Sequence, residues 1–253
     1  MGMWYVVRVC LITLFLSGVS LSVQAEKVDF LDDDFYQEEV DNSSVKDPLE
    51  PFNRVMFDVN DAAYDYFLKP VATGYKAVLP ADIRGCVGNF FNNLQAPVRF
   101  INCILQGRFE ESFWVLSRFA INSTAGAFGL ADPAAREFGI PQIEASLGET
   151  LATWGIGDGF YLVVPFYGAT TMTDFTGKLI ETMGYPYYYV SEDYLEKSAV
   201  LVLKGTNTLS LNINVYDELK KVSFDPYIAL RNSYFQNRKK ARDHSDFKVE
   251  FDL

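Results

Sequence analysis

From Asp47-Pro48-Leu49-Glu50 onward, the apolar residues Leu49, Phe52, Met56, Val59, Ala63 and Tyr66 recur at spacings of three and four. A helix of 3.6 residues per turn gathers such positions on one face, with Asn53, Arg54, Asp58, Asn60, Asp61 and Asp65 elsewhere around it. The start is marked as well. Asp47 can cap, Pro48 fits the first helical position and Glu50 complements the dipole.

The same punctuation repeats along the chain at Pro70, at Pro80 with Asp82, at Pro97 and at Gly107. Ser146 with Glu149 reads as a capping box, and Thr173 or Asp174 opens a segment that ends at Gly184. Two final helices are expected over about Glu192 to Lys221 and Asp225 to Arg242, the latter again opening on Asp-Pro. Strand signals are sparse. Phe160 to Phe166 is either a strand or a buried connector, because Pro165 interrupts it. The expected fold class is therefore all-α, built from many short amphipathic helices.

Ahead of this region, Arg8 precedes an uncharged run from Val9 to Ala25 with an apolar centre at Leu11 to Leu16 and small residues around Ala25. That pattern predicts a cleavable signal peptide over residues 1–25. An uncleaved anchor is the alternative, but the apolar stretch is short for a bilayer core of about 30 Å. Cys10 lies ahead of Leu11 to Leu16, where a lipoprotein cysteine would follow the apolar core, so acylation is not expected. Residues 26–46 form an acidic linker: from Glu26 to Glu50 there are ten acidic residues and two lysines, a net of −8. Such a stretch repels itself and buries little. A charged C-terminal tail is expected over residues 237–253.

The formal charge is −11, and losing Arg8 with the signal takes it to −12. Nucleic acid is excluded as a partner on that balance. The only histidine, His244, lies near the C-terminus. A Ser-His-Asp or Cys-His centre would have to rest on it, and a His-ligated metal site has nothing else to draw on. No enzyme, cofactor or metal is expected. Cys86 and Cys103 would both reach an oxidising compartment, where a disulfide between them and two buried thiols are equally open.

Aromatic residues are abundant, with 21 Phe and 15 Tyr, yet the longest uncharged stretch of the folded region is the 15 residues between Asp158 and Asp174. That is too short, and too broken by Pro165, for a spanning helix. Two readings remain: a soluble bundle whose apolar stripes form its core, or a protein lying in a membrane with those stripes toward lipid. Tyr185, Tyr187, Tyr188 and Tyr189 beside Pro186 suit a headgroup boundary or a packed loop equally. Adjacent carboxylates such as Glu110 and Glu111 point different ways on a helix and read as a solvated face.

Several phrases in order resemble the MlaA/VacJ family: DPLEPFNRVMFDVND from Asp47, VRFINCILQG from Val98, SRFAINSTAG from Ser117, ASLGETLATWGIGDGFYLVVPFYG from Ala145 and DPYIALRNSYF from Asp225. The resemblance covers residues 47–236. It implies a ring of amphipathic helices lying in the outer membrane around a central channel for phospholipid headgroups. It further implies retrograde phospholipid transport that maintains lipid asymmetry, with phospholipids, an outer-membrane trimeric porin and a soluble periplasmic lipid carrier as partners. Outer-membrane residence on the periplasmic side follows, with a soluble periplasmic scaffold or lipid-binding module as the alternative. The residues singled out for the channel, or for structure around it, are Asn53, Arg54, Asp58 and Asn60 on the first helix, and Pro165, Phe166, Tyr167 and Gly168.

Overall fold

Residues 47–189 and 192–242 are described by the computed structural model. The expected signal peptide, the acidic linker of residues 26–46 and the end of the tail with His244 lie outside them. Helix α1 (Glu50–Ala63) runs through a π-helical turn (Tyr64–Leu68) into α2 (Lys69–Val78). Then come α3 (Ala81–Leu105), α4 (Phe109–Thr124), the short α5 (Pro133–Arg136) and α6 (Leu147–Thr153). A hairpin of β1 (Tyr161–Val164) and β2 (Gly168–Thr171) leads to α7 (Met172–Gly184), a 3-10 turn (Pro186–Tyr189), α8 (Tyr194–Val222) and α9 (Pro226–Arg242). The expected helical fold class holds, with one small hairpin added. The Phe160 to Phe166 stretch is a strand for four residues, paired antiparallel from Tyr161 with Thr171 to Val164 with Gly168. Pro165 falls just past it, in the turn, where its missing N–H breaks no ladder bond.

Local signals account for most helix ends. Ser146 and Glu149 form the expected capping box, each side chain accepting the other's backbone N–H at 3.2 and 3.0 Å. Gly107, at φ 76°, closes α3: its N–H donates to Ile104 O and that of Arg108 to Cys103 O, both near 3 Å, the Schellman pattern. Asp225 caps α9 by accepting from Tyr227 N and Ile228 N. Two prolines do not break helices as expected. Pro70 sits in the first turn of α2, just after the π turn has widened the helix. Pro97 lies inside α3, which continues because α4 and α8 pack along it.

Asp47 departs from its expected role. Helix α1 begins only at Glu50, and Asp47 instead accepts from Leu49 N, from Asn53 Nδ2 at 2.9 Å and from the Tyr227 hydroxyl of α9. A carboxylate this close to a second helix gains more from tying the two ends of the fold together than from capping one. Helix α9 runs to Arg242, the end expected for it, with Arg238 paired to Asp158 and Asp174, and Arg242 to Asp158.

Cys86 and Cys103 are free, and their placement excludes a bridge between the two. Both lie on α3, 17 positions apart. At 1.5 Å per residue that is about 25 Å, far beyond the reach of a disulfide. Burial raises the Cys103 thiol to about 11, so it stays protonated and packs as a small apolar group.

Burial is divided among separate clusters. Tyr64, Leu68 and Ala72 pack on Leu209 and Ile213 of α8; Phe57 packs with Tyr161, Val163 and Tyr227; Phe91 packs with Tyr185, Tyr187 and Leu201. Each fully buried side chain of this size stabilises by about 1.5–3 kcal/mol. Most of the stripe that marked α1 in the sequence is exposed, although Met56 packs against the Phe57 cluster and the inward face carries Phe57 beside Asn53. Phe52 is 49 % exposed and Tyr66 86 %, while Asn53 is 0 % exposed. Phe109, Phe113, Phe128, Trp154, Leu195 and Phe224 are exposed too. No helix among the described residues is long and apolar enough to cross a membrane.

Candidate functional site

Several polar side chains turn inward beside the buried aromatic clusters. Asn53 and Asn60, two turns apart on α1, face the free edge of β1. Asn53 Nδ2 donates to Tyr161 O at 3.1 Å while its Oδ1 accepts from Val163 N at 2.9 Å. Asn60 repeats the pattern one step along, donating to Val164 O and accepting from Phe166 N at 3.0 and 2.6 Å. Each amide thus supplies the donor and acceptor that a neighbouring strand would have offered. The second bond also holds the hairpin turn, where Phe166 takes a positive φ of 61°, a conformation costly for a residue with a Cβ.

The sequence-selected residues therefore divide. Asn53, Asn60, Pro165, Phe166 and Gly168 come together as a clamp between helix and hairpin. Tyr167 follows in the same turn and packs edge-on against Phe175. Arg54 pairs with Glu50 at 2.8 Å and Asp225 at 3.0 Å and lies over the Tyr227 ring, joining α1 to α9. Asp58 is exposed and apart from the clamp. Glu111, expected on a solvated face, is buried and held by the Arg108 guanidinium.

A second polar region, not legible in the sequence, lies where α3, α7, the 3-10 turn and α8 meet. Glu181 of α7 accepts from Asn102 Nδ2 at 2.8 Å, from Leu147 N at 2.6 Å and from the Tyr185 hydroxyl at 3.3 Å. Lys178 lies 3.6 Å from Glu181 and donates to the Tyr185 hydroxyl at 3.1 Å. Arg99 pairs with Glu144 at 3.0 Å. Lys204 of α8 is half-buried with its Nζ 5.6 Å from the ring centres of both Tyr185 and Tyr187. Burial, then the charges of Lys178 and Arg99, lower its amine to about 7 against the pull of Glu144 and Glu181. Burial pushes the Tyr185 and Tyr187 hydroxyls upward, so both stay protonated.

Arg99 also lines a small, open cleft between α3 and α4, together with Asn89, Asn92, Asn93, Arg118, Asn122 and Gln142. The polar cluster and the cleft thus share Arg99.

A family model described as MlaA lipoprotein matches residues 45–241. The chain belongs to this family. Among MlaA relatives, the intermembrane phospholipid transport system lipoprotein MlaA of Haemophilus influenzae is 34% identical over 201 residues, covering 77% of this chain and 78% of its own. That of Escherichia coli K12 is 32% identical, covering 78% of each. A protein of unassigned function from Rickettsia conorii is 32% identical over 90% of this chain and 92% of its own. A solved structure, described as the structural basis for maintenance of bacterial outer membrane lipid asymmetry, superposes with a TM-score of 0.69 at 32% identity, over 78% of this chain and all of that one. The expectation that Cys10 escapes acylation is not borne out: the MlaA family and its named relatives are lipoproteins.

Proposed function

We propose that this chain sits in the outer membrane on its periplasmic side and moves mislocalised phospholipid from the outer leaflet toward the periplasm, maintaining lipid asymmetry. A soluble periplasmic carrier takes the lipid, and a trimeric porin is the neighbour in the membrane. The observation that carries this reading is the exposure on α1 of Phe52, Val59 and Tyr66 while Asn53 is wholly buried. A helix that exposes Phe52, Val59 and Tyr66 to its surroundings while burying the Asn53 amide beside Phe57 is matched to an apolar medium outside and to polar groups within. Helical backbone groups are satisfied internally, so a ring of such helices can lie in a leaflet without spanning it. A polar interior lowers the desolvation cost of a passing headgroup while the acyl tails stay in an apolar phase.

Membership of a family whose named relatives serve intermembrane phospholipid transport supports the same reading. The structure also contains Asn53 and Asn60 in a role that suits a rim: they brace the hairpin against α1. Deleting the gene is expected to raise outer-leaflet phospholipid and detergent sensitivity. Unchanged values for both in a clean deletion would sink the proposal.

A further inference from the structure

We propose that the turn after α4 is a lipid-inserting tip, with the Phe128 ring as an anchor that enters the acyl region of the membrane and fixes that end of α4; this rests on, and deepens, the outer-membrane reading. Backbone strain is the first support. Ala127, Phe128 and Gly129 follow one another at φ 51°, 60° and 88°. Left-handed residues ordinarily occur singly and at glycine, because a Cβ crowds the following carbonyl. Here Ala127 and Phe128 both carry a Cβ, and Phe128 recovers little by burial, since it is 79 % exposed. Glycine at position 128 would fold more easily. A strained residue that gives the fold so little points to something outside the fold.

The turn is held in that shape from two sides. The Phe128 N–H donates to Ser123 O at 3.2 Å, that of Gly129 to Asn122 O at 2.8 Å and that of Ala131 to Gly126 O at 2.9 Å, so carbonyls at the end of α4 find partners in the turn itself. Gly129 is also pressed onto α3. A Cβ there would lie 2.4 Å from the Cβ of Asn93, whose amide donates to Ser123 Oγ at 2.9 Å. Fixed against α3 in this way, the turn keeps Phe128 exposed.

Lipid is the occupant that fits the tip. No charged residue lies between Arg118 and Asp132, so nothing in the turn would carry a charge into an apolar phase. Phe109, Phe113, Leu116, Ala120 and Thr124 recur at spacings of three and four along α4 and are all exposed. They form an uncharged stripe about 22 Å long that leads to the turn, and the Thr124 hydroxyl donates back to Ala120 O at 2.7 Å. A lone aromatic side chain among Gly126, Ala127 and Gly129 offers a protein partner only a fraction of the about 800 Å² that a specific interface buries on each side. Lipid accepts a single side chain and gains in proportion to the apolar area immersed.

The test uses the full-length protein with vesicles of phosphatidylethanolamine and phosphatidylglycerol. In Phe128→Trp, the emission added to that of the wild type should be blue-shifted, quenched by phospholipid brominated in its acyl chains and spared by aqueous acrylamide. Phe128→Gly should raise the urea midpoint in detergent, because strain is relieved, yet weaken partition into the vesicles about tenfold. Phe128→Leu should keep most of that partition. Opposite signs in stability and binding are the mark of an anchor, since a residue that only packs in the fold would lower the midpoint when removed. A lowered midpoint in Phe128→Gly, unchanged partition of that variant, or added emission in Phe128→Trp that acrylamide quenches each overturns the anchor. Emission shielded from both quenchers only when a trimeric porin is present assigns the turn to a protein contact and overturns the lipid assignment. Flotation of the wild type with the vesicles separates the two levels. A wild type that floats while the Phe128 variants fail in these ways removes the tip alone, and one that does not float removes the membrane reading and the tip with it. A lipid-inserted tip in a protein that transfers no phospholipid between vesicles removes the transport reading alone.

Discussion

Around Asn53 the buried amide uses both ends, donating to Tyr161 O and Asp47 and accepting from Val163 N. Around Lys204, three cations face two carboxylates and one ammonium is left over rings. Both regions are polar, inward-facing and enclosed by aromatic side chains. The first is closed in its bonding, and the second is open. A buried polar group that is fully matched specifies a fold, because any other arrangement leaves it unsatisfied. A buried charge left unmatched destabilises the fold instead.

That contrast breaks most easily at the clamp. Asn53→Ala strands a strand carbonyl and a strand N–H in the interior, at about 1–3 kcal/mol for each group left unsatisfied, and removes one of the bonds that hold Asp47. The expected loss is about 3–5 kcal/mol, read as a lower urea midpoint with an unchanged m-value. Asn60→Ala removes two bonds at a partly exposed rim and should cost less, about 1–2 kcal/mol. Equal and small losses at the two positions would show that the hairpin holds without α1.

At Lys204 the sign reverses. Its folded-state value, about 7, lies below the ordinary lysine value of 10.5. The folded protein therefore binds fewer protons than the unfolded one between those limits. Its stability should rise as pH climbs through that window, and the penalty is fully present below pH 7. Lys204→Met removes the penalty, so the variant should be more stable than wild type at pH 7 by about 1 kcal/mol, solvent screening allowed for, with a flatter stability profile between pH 7 and 10. A destabilised variant with an unchanged profile would make Lys204 a structural residue like Asn53.

These differences explain what could be read from residue order. Ser146 with Glu149, Gly107 and Asp225 act on backbone within five positions of themselves, so their roles were visible. Asn53 and Asn60 stood out as polar positions on a helix, but their partners lie more than 100 residues away, and nothing local distinguishes an amide that faces a strand from one that faces a channel. Lys204, within the run Leu201-Val202-Leu203-Lys204-Gly205, reads as any helix lysine until Tyr185, Lys178 and Arg99 are brought around it. The tyrosine cluster stands out in the sequence, yet its division into buried Tyr185 and Tyr187 and exposed Tyr189 depends on α3 and α8. Periodicity likewise gathers Phe52, Val59 and Tyr66 on α1, all exposed, but it does not single out Phe57 and Tyr64, which are buried, and it is silent about which medium the exposed residues meet.

The smallest effect on folding is expected on that face, and it bears on both regions. Phe52, Val59 and Tyr66 are exposed, so replacing them with serine removes little buried contact, and each change should move stability by no more than about 0.5 kcal/mol. Membrane partition should respond quite differently, since each loses an apolar side chain from the lipid-facing stripe, about 1.5–3 kcal/mol of transfer energy when fully immersed. The triple variant should stay folded, keep the Asn53 and Lys204 regions intact and shift to the soluble fraction after high-salt washing. If it unfolds instead, the stripe is core in the assembled protein and the helix faces protein rather than lipid. If it stays folded and membrane-bound, the hold on the bilayer comes from elsewhere, with N-terminal acylation the first place to look.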